Sequence, residues 1–167
     1  ASADYYYVNK SSLPKVYGGF NTSLSWKGFD LSAIFAYSIG GYIYNRDITM
    51  ILHNGSLEGR AWSTEILRRW TPDNRYTDVP ALSTTSNNWN SASTRFLQNN
   101  SYMRLKNLTL SYNLPKPWVS KLALSSVQVY VQGDNLFTIH ENQGLDPEQG
   151  ITGITYYRYP AMRTISG

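Results

Sequence analysis

The sequence predicts an all-β chain of antiparallel up-and-down strands that forms part of a transmembrane β-barrel. Three observations support this fold class. The chain is rich in aromatic residues and poor in charge, with 14 tyrosines and only 16% charged residues among 167, whereas soluble domains average about 25% charged residues. Apolar and polar residues alternate with a period of two in several segments, as in strands with one apolar face. Short turns also alternate with long connections, which is the layout of an outer-membrane barrel.

Composition and charge exclude several function classes. The net charge of +4 comes from 15 basic and 11 acidic residues that are spread thinly along the chain, so a nucleic-acid partner is not expected. The absence of cysteine excludes disulfides, thiolate metal sites and cysteine nucleophiles. No stretch approaches the roughly 18 apolar residues of a transmembrane helix. A membrane protein with this composition would have to cross with strands, in which every second residue is apolar.

The first predicted element is a hairpin. Apolar and small polar residues alternate along residues 15–26 and again along 29–38, with Ile34 as the single exception. Lys27-Gly28 between the two segments suits a two-residue hairpin turn. Each arm has roughly the 10 residues that a tilted strand needs to cross a bilayer. An aromatic residue flanks the turn on each side, where an aromatic girdle would lie.

A second pair of strands is predicted at residues 102–114 and 127–137, followed by a partial strand from 163. Apolar and polar residues alternate clearly in both segments, and the prolines between them confine the intervening stretch to a turn. Arg104 and Lys106 fall on the apolar parity of the first segment. A cation at the bilayer midplane costs about 2–4 kcal/mol. Both residues are therefore expected to lie above the lipid zone.

The two long connections, residues 39–101 and 138–160, are predicted to be extracellular loops. The first contains a predicted helix from Leu57 to Trp70, because Trp62, Ile66 and Trp70 recur every four positions and a proline follows. The chain as a whole is expected to contain about five strands and one short loop helix.

Several short segments occur in an informative order. They are PKVYGGF at residues 14–20, WKGFDLS at 26–32, RWTPDN at 69–74, DVP at 78–80, SYMRLKNLTLSYNLP at 101–115, VYVQGDNLFT at 129–138, GLDPE at 144–148, YP at 159–160 and RT at 163–164. This ordered set covers nearly the whole chain from Pro14 onward. It resembles the SusC/RagA family of TonB-dependent outer-membrane transporters of Bacteroidetes.

The resemblance implies that residues 1–167 are the C-terminal portion of a longer protein. Family members close a barrel of about 22 strands around a plug, and this chain supplies about five strands and no plug domain. The chain also departs from the family after Arg163-Thr164, where members complete a last strand that ends in an aromatic residue. The segment is therefore expected to be incomplete by itself, with exposed strand edges.

The resemblance further implies TonB-dependent uptake of glycans or peptides across the bacterial outer membrane. The implied partners are a SusD-like surface lipoprotein and TonB, both through the parent protein, together with outer-membrane lipid. No cofactor is implied. The residues leave one alternative open, a free-standing β-sandwich that binds carbohydrate or acts as an adhesin. In a sandwich, the apolar parity of each strand would pack against a second sheet.

No enzyme is predicted. His53 and His140 are the only histidines, and they lie far apart in sequence without a metal-ligand spacing. Asp146 and Glu148 flank Pro147 but lack the pattern of a calcium-binding loop, so they are expected to be solvated acids in a turn. The sequence therefore indicates neither a catalytic residue nor a metal site.

The candidate ligand-binding residues are aromatic residues of the long loops, namely Trp62, Trp70, Trp89, Tyr156 and Tyr157. Flat rings can stack on sugar faces, and neighbouring asparagine side chains offer donors and acceptors for hydroxyl groups. For Trp62 and Trp70, the favoured alternative is that both rings fix the predicted loop helix to its neighbours.

Overall fold

The computed structural model describes residues 6–53, 59–83, 91–144, 146–149, 152–155 and 158–167. These residues contain two short α-helices, α1 (Arg46–Ile51) and α2 (Lys116–Val119). Their strands are β1 (Val16–Trp26), β2 (Phe29–Ile39), β3 (Tyr42–Tyr44), β4 (Leu97–Asn99), β5 (Tyr102–Asn113), β6 (Gln128–His140) and β7 (Thr164–Ser166). No helix within the described residues is long and apolar enough to span a membrane.

The strands form a five-stranded sheet and a separate two-stranded sheet. The five-stranded sheet has the order β1-β2-β5-β6-β7, and all of its neighbouring strands are antiparallel. The two-stranded sheet consists of β3 and β4, which lie in the connection between β2 and β5. The main sheet therefore confirms the predicted fold class, in which about five antiparallel strands follow one another across the sheet.

The β1–β2 hairpin has the predicted two-residue turn. Lys27 and Gly28 both adopt positive φ angles, of 47° and 90°. Positive φ at both central residues defines the type I′ turn, whose twist matches that of the flanking strands. The turn sets the register, in which Trp26 lies opposite Phe29 and Val16 lies opposite Ile39.

One face of the main sheet is apolar and exposed. Leu24 and Val131, for example, have 66% and 56% of their surface exposed. Aromatic pairs join neighbouring strands on this face: Phe20–Phe35 is stacked, with ring centroids 4.7 Å apart, and Phe29–Tyr112 is tilted, with ring centroids 4.4 Å apart. A soluble protein rarely leaves so large an apolar surface uncovered. Within the described residues, no second sheet packs on this face, as the β-sandwich alternative would require.

A β-bulge at Lys106 changes the faces that the sequence predicts for β5. Ile34 and Phe35 of β2 lie opposite Asn107 and Leu105, so that Lys106 has no partner across the strand. The extra residue reverses the alternation at this point. Arg104 was expected on the apolar face, but the bulge places it on the polar face.

The connection between β2 and β5 folds into a small unit with its own core, which we call the loop unit (residues 42–99). Its described buried apolar side chains are Ile43, Leu52, Ile66, Val79 and Phe96. Ile43 lies on β3, Leu52 caps the C-terminal end of α1, and Ile66 and Phe96 lie in short 3₁₀ turns. Asn45 caps the N-terminal end of α1 by accepting a hydrogen bond from the Ile48 N–H.

The predicted helix from Leu57 to Trp70 is wrong over most of its described length. Only Thr64–Arg68 is helical, as a single 3₁₀ turn. Gly59 has a φ of 73°, which an α-helix does not accommodate, Ser63 before the turn is extended, and Arg69 after it is not helical. The loop helix that does form, α1, is too short to show a clear hydrophobic period.

Candidate functional site on the polar face

Four charged side chains meet on the polar face of the sheet, at the end of β5 where the long connections begin. Arg104 donates hydrogen bonds to Asp146 and Glu148, and Lys106 donates to Glu148. Arg104 and Asp146 are only 3% and 7% exposed. We call these four residues the charge cluster. Asp146 and Glu148 were predicted to be solvated acids in a turn, and for Asp146 that prediction is wrong.

Asp146 is held by hydrogen bonds from three directions. Arg104, the Ala161 N–H and the Glu148 N–H all donate to its carboxylate. Burial alone would raise the pKa of this carboxyl group, but the three donors together hold its pKa below the ordinary value of 3.8. Asp146 is therefore ionised at neutral pH, as a partner of Arg104 must be.

The charge cluster fixes two chain segments to the sheet. Asp146 and Glu148 bring residues 146–149 onto β5, and the bond from Ala161 to Asp146 brings the segment before β7 to the same place. Thr138 on β6 accepts a further hydrogen bond of 2.8 Å from Arg104. A buried ion pair adds little net stability, but removal of one partner costs about 3–5 kcal/mol. Arg104 is thus the side chain that attaches the β6–β7 connection to the sheet.

A cleft of about 650 Å³ lies beside the charge cluster. Its floor is a row of three side chains in register across β1, β2 and β5, namely Tyr17, Ser38 and Tyr102. Its walls come from residues 12–14 and from the Lys106–Glu148 pair. A ligand in the cleft would therefore meet two phenol rings and several hydroxyl groups, beside the Lys106–Glu148 pair, whose charges cancel.

The loop aromatics predicted from sequence lie elsewhere. The Trp62 ring stands edge-on to the buried His53, with ring centroids 5.4 Å apart. The backbone N–H of Trp70 donates a 2.8 Å hydrogen bond to the Val79 carbonyl. Both indoles are partly exposed, at 42% and 43%, and neither lines the cleft. Trp89, Tyr156 and Tyr157 lie outside the described residues.

Sequence pattern alone does not mark the residues of the cleft and the charge cluster as functional. Tyr17 and Tyr102 are ordinary members of alternating strands, and Arg104 falls on the wrong parity until the bulge is known. The GLDPE segment is one of the ordered motifs of the sequence. Its two acids, which lie four and two residues before Gly150, give no indication of their cationic partners on β5.

Comparison with known proteins gives consistent matches to one class. No family model matches the chain. The chain is 37% identical over 160 residues to TonB-dependent receptor P3 of Formosa agariphila, and the match covers 89% of the chain and 15% of that receptor. It is 30% identical over 175 residues to TonB-dependent receptor P26 of the same organism, covering 99% of the chain and 18% of the receptor. TonB-dependent receptor SusC of Bacteroides thetaiotaomicron is 26% identical over 162 residues, a match that covers 95% of the chain and 15% of SusC.

Solved structures show the same relation. The RagAB peptide importer in its open-open state matches with a TM-score of 0.81 and 35% identity, over 93% of this chain and 17% of the matched chain. The closed-closed state of that importer gives a TM-score of 0.79 at the same identity and coverage. The match is to part of the RagA barrel. These relatives are receptors and an importer rather than enzymes, in agreement with the expectation of no catalytic site.

Proposed function

We propose, from the premise that this chain is homologous to a segment of the SusC/RagA-family TonB-dependent receptors, that it forms part of the wall of a nutrient importer. TonB-dependent receptors reside in the bacterial outer membrane, and homology assigns the chain to that membrane. The chain spans 15–18% of the length of the curated relatives that it matches. Transport, substrate and partners therefore belong to the proposal.

One observation carries the proposal. The chain, whose main sheet has an exposed apolar face, matches part of the RagA barrel over 93% of its length at a TM-score of 0.81 and 35% identity. An apolar outer face and a polar inner face are what a barrel wall needs between lipid and lumen. The polar face carries hydrogen-bonded networks such as Asn107–Asp134 and Gln128–Ser111, which suit a lumen occupied by water and a plug.

The partners follow from the same homology. Energy would come from TonB through the longer protein, and a SusD-like lipoprotein would cover the loops, since the matched importer is the two-component RagAB. The loop unit supports this role because its own buried core gives a partner a defined surface. We propose that residues 39–101 and 138–160 lie on the extracellular side.

Glycans or peptides are the proposed substrates. The cleft floor of Tyr17, Ser38 and Tyr102 faces the proposed lumen, and its hydroxyl groups can donate and accept hydrogen bonds. The loop aromatics Trp62, Trp70, Trp89, Tyr156 and Tyr157 also stay proposed ligand contacts.

The Tyr17→Ala substitution tests the function. Tyr17 is exposed, so its removal should leave folding intact while it weakens uptake. We expect a 3- to 10-fold loss of uptake, about the 0.5–1.5 kcal/mol that an aromatic contact contributes, measured with labelled oligosaccharides and oligopeptides in cells that produce the full-length protein. Tyr76→Ala, which removes an exposed tyrosine of the loop unit, is the matched control.

Two outcomes would contradict the proposal. If cells lacking the protein take up every oligosaccharide and oligopeptide as fast as cells that contain it, the proposed transport function is wrong. If uptake requires the protein but Tyr17→Ala and Tyr76→Ala both behave as the unmodified protein does, the cleft is not part of the route.

A further inference from the structure

A second cavity, of about 940 Å³, lies beside the upper half of β6. β7 pairs with β6 only along Gln132–Asp134. Above these pairs, residues 158–163 run beside β6 without forming a ladder, and the Asn135 side chain donates to the Met162 carbonyl. The cavity fills the gap between β6 and this segment.

The cavity is open to both faces of the sheet. Phe137 belongs to the apolar face, opposite Leu105, whereas Thr138 belongs to the polar face, opposite Arg104. Both residues line the cavity. Successive side chains of a strand point to opposite faces, so a cavity lined by both lies at the edge of the strand. It is continuous with the exposed apolar face that homology assigns to membrane lipid.

The cavity carries an excess of positive charge. Arg104 and Asp146 both line it, and they neutralise each other. The Asp146 oxygens are already occupied by their three donors. Arg158 and Arg163 also line the cavity and are exposed. Neither arginine forms an ion pair with an acid among the described residues.

We propose that this cavity binds the phosphorylated headgroup of a membrane lipid. Arg158 and Arg163 would hold the phosphate, because guanidinium groups bind phosphate oxygens in a bidentate manner. An acyl chain would leave the cavity past Phe137 and Met162, onto the apolar face of the sheet. The continuity with that face favours a lipid over a free anion. The inference rests on the proposed position of this sheet in a barrel wall.

Lipid titration of the purified full-length protein in neutral detergent tests the inference. The probes are short-chain phosphatidylglycerol, short-chain phosphatidylcholine and inorganic phosphate, with binding followed by native mass spectrometry. We expect phosphatidylglycerol to bind and the double variant R158Q/R163Q to bind it about 25-fold more weakly, from the usual contribution of a basic residue at an anionic membrane surface. R60Q/R75Q, which removes two exposed arginines of the loop unit, should bind as the unmodified protein does.

The other outcomes overturn the inference. Equal phosphatidylglycerol binding by R158Q/R163Q and the unmodified protein would exclude the site. Inorganic phosphate that binds as tightly as phosphatidylglycerol would indicate a free-anion site instead. On the unmodified protein alone, phosphatidylglycerol binding that does not weaken as ionic strength rises would exclude the charge-based recognition. Uptake by R158Q/R163Q is a separate measurement, so loss of lipid binding with normal uptake leaves the transport proposal intact.

Discussion

At the scale of the residue, Arg104 determines how the β6–β7 connection is held. Its guanidinium is buried and contacts Asp146, Glu148 and Thr138. This one side chain therefore joins β5, β6 and residues 146–149. A buried arginine is tolerated only when its charge and its donors are satisfied. An apolar residue at position 104 would therefore leave the buried carboxylate of Asp146 without a cation, unless Asp146 were replaced as well.

The Arg104→Met substitution should release residues 146–149 from the sheet. It leaves the buried carboxylate of Asp146 without a cation, a loss of about 3–5 kcal/mol. Limited proteolysis of the full-length protein in its membrane should then cleave the β6–β7 connection at least about 100-fold faster, since cleavage follows the population of the open form.

Arg68→Met is the matched control for this experiment. Arg68 also pairs with an aspartate, Asp78, but both side chains of that pair are mostly exposed. An exposed pair contributes about 0–1 kcal/mol. Equal cleavage of the β6–β7 connection in Arg104→Met and Arg68→Met would show that the charge cluster does not hold the connection.

The same cluster makes the connection sensitive to acid. The pKa of Asp146 is lowered in the folded state, so its contribution to stability is fully present above the unfolded value of 3.8 and is lost as pH falls through the lower folded value. Arg104 is its ion-pair partner, and Arg104 and Lys106 both pair with the neighbouring Glu148. Arg158 and Arg163 line the same cavity as Asp146. Proteolysis of the connection with an acid-active protease should be unchanged from neutral pH to about pH 5 and should accelerate below the unfolded pKa.

Asp146→Asn isolates this titration. The amide cannot ionise, so the step in cleavage at low pH should disappear, although cleavage at neutral pH should be faster than in the unmodified protein. A step that persists in Asp146→Asn would assign the acid sensitivity to another group.

At the scale of the element, period-two alternation predicts the strands because each one places lipid-facing and lumen-facing residues in turn. The predicted 15–26 and 29–38 correspond to the observed Val16–Trp26 and Phe29–Ile39. Alternation does not predict a bulge, since one extra residue resembles an imperfect strand. The faces of Arg104 and Lys106 were therefore wrong, although the strand that contains them was correctly placed.

The two faces of β1 should respond in opposite ways to one added charge. Leu24→Arg places a cation on the exposed apolar face, whereas Ser23→Arg places it on the polar face, one residue away. Arginine on the lipid side costs about 2–4 kcal/mol at the midplane and about 0–1 kcal/mol near the interface. Leu24 lies two residues from Trp26, beside the predicted aromatic girdle, so a cost between these two values is expected. We expect Leu24→Arg to lower the folded fraction of the full-length protein in lipid vesicles, measured by its gel mobility without heating, while Ser23→Arg folds normally.

A reversed order would contradict the assignment of the faces. If Ser23→Arg impaired folding more than Leu24→Arg, the assignment of the apolar parity of β1 to the lipid side and of the polar parity to the lumen would be wrong. Equal and small effects would place this part of β1 outside the hydrocarbon region.

At the scale of the whole molecule, the sequence predicts the sheet better than it predicts the connections. Strand alternation is a local property, but the loop unit depends on contacts between residues far apart in sequence, such as the bond from the Asn45 N–H to the Phe96 carbonyl. The charge cluster is similar, because Arg104 and Asp146 are 42 positions apart. Composition cannot show which acid meets which base.

The five-stranded sheet, which is the proposed barrel wall, does not depend on the loop unit for its strand pairing. β2 and β5 pair directly along Phe29–Ser38 and Tyr102–Tyr112 without help from the residues between them. The ends of the connection are also held together, since Asn100 N–H donates to the Gly41 carbonyl and Gly40 N–H donates to Ser101.

Replacement of residues 42–99 by a short Gly-Ser linker should therefore leave the wall intact and abolish uptake. The linker needs to join only Gly41 and Asn100, which are already hydrogen-bonded, and a short loop costs little entropy to close. Membrane insertion, measured by heat-modifiable gel mobility, should match that of the unmodified protein. Loss of insertion would show that the loop unit is needed to assemble the wall. Normal uptake would show that neither the loop unit nor a partner bound to it serves transport.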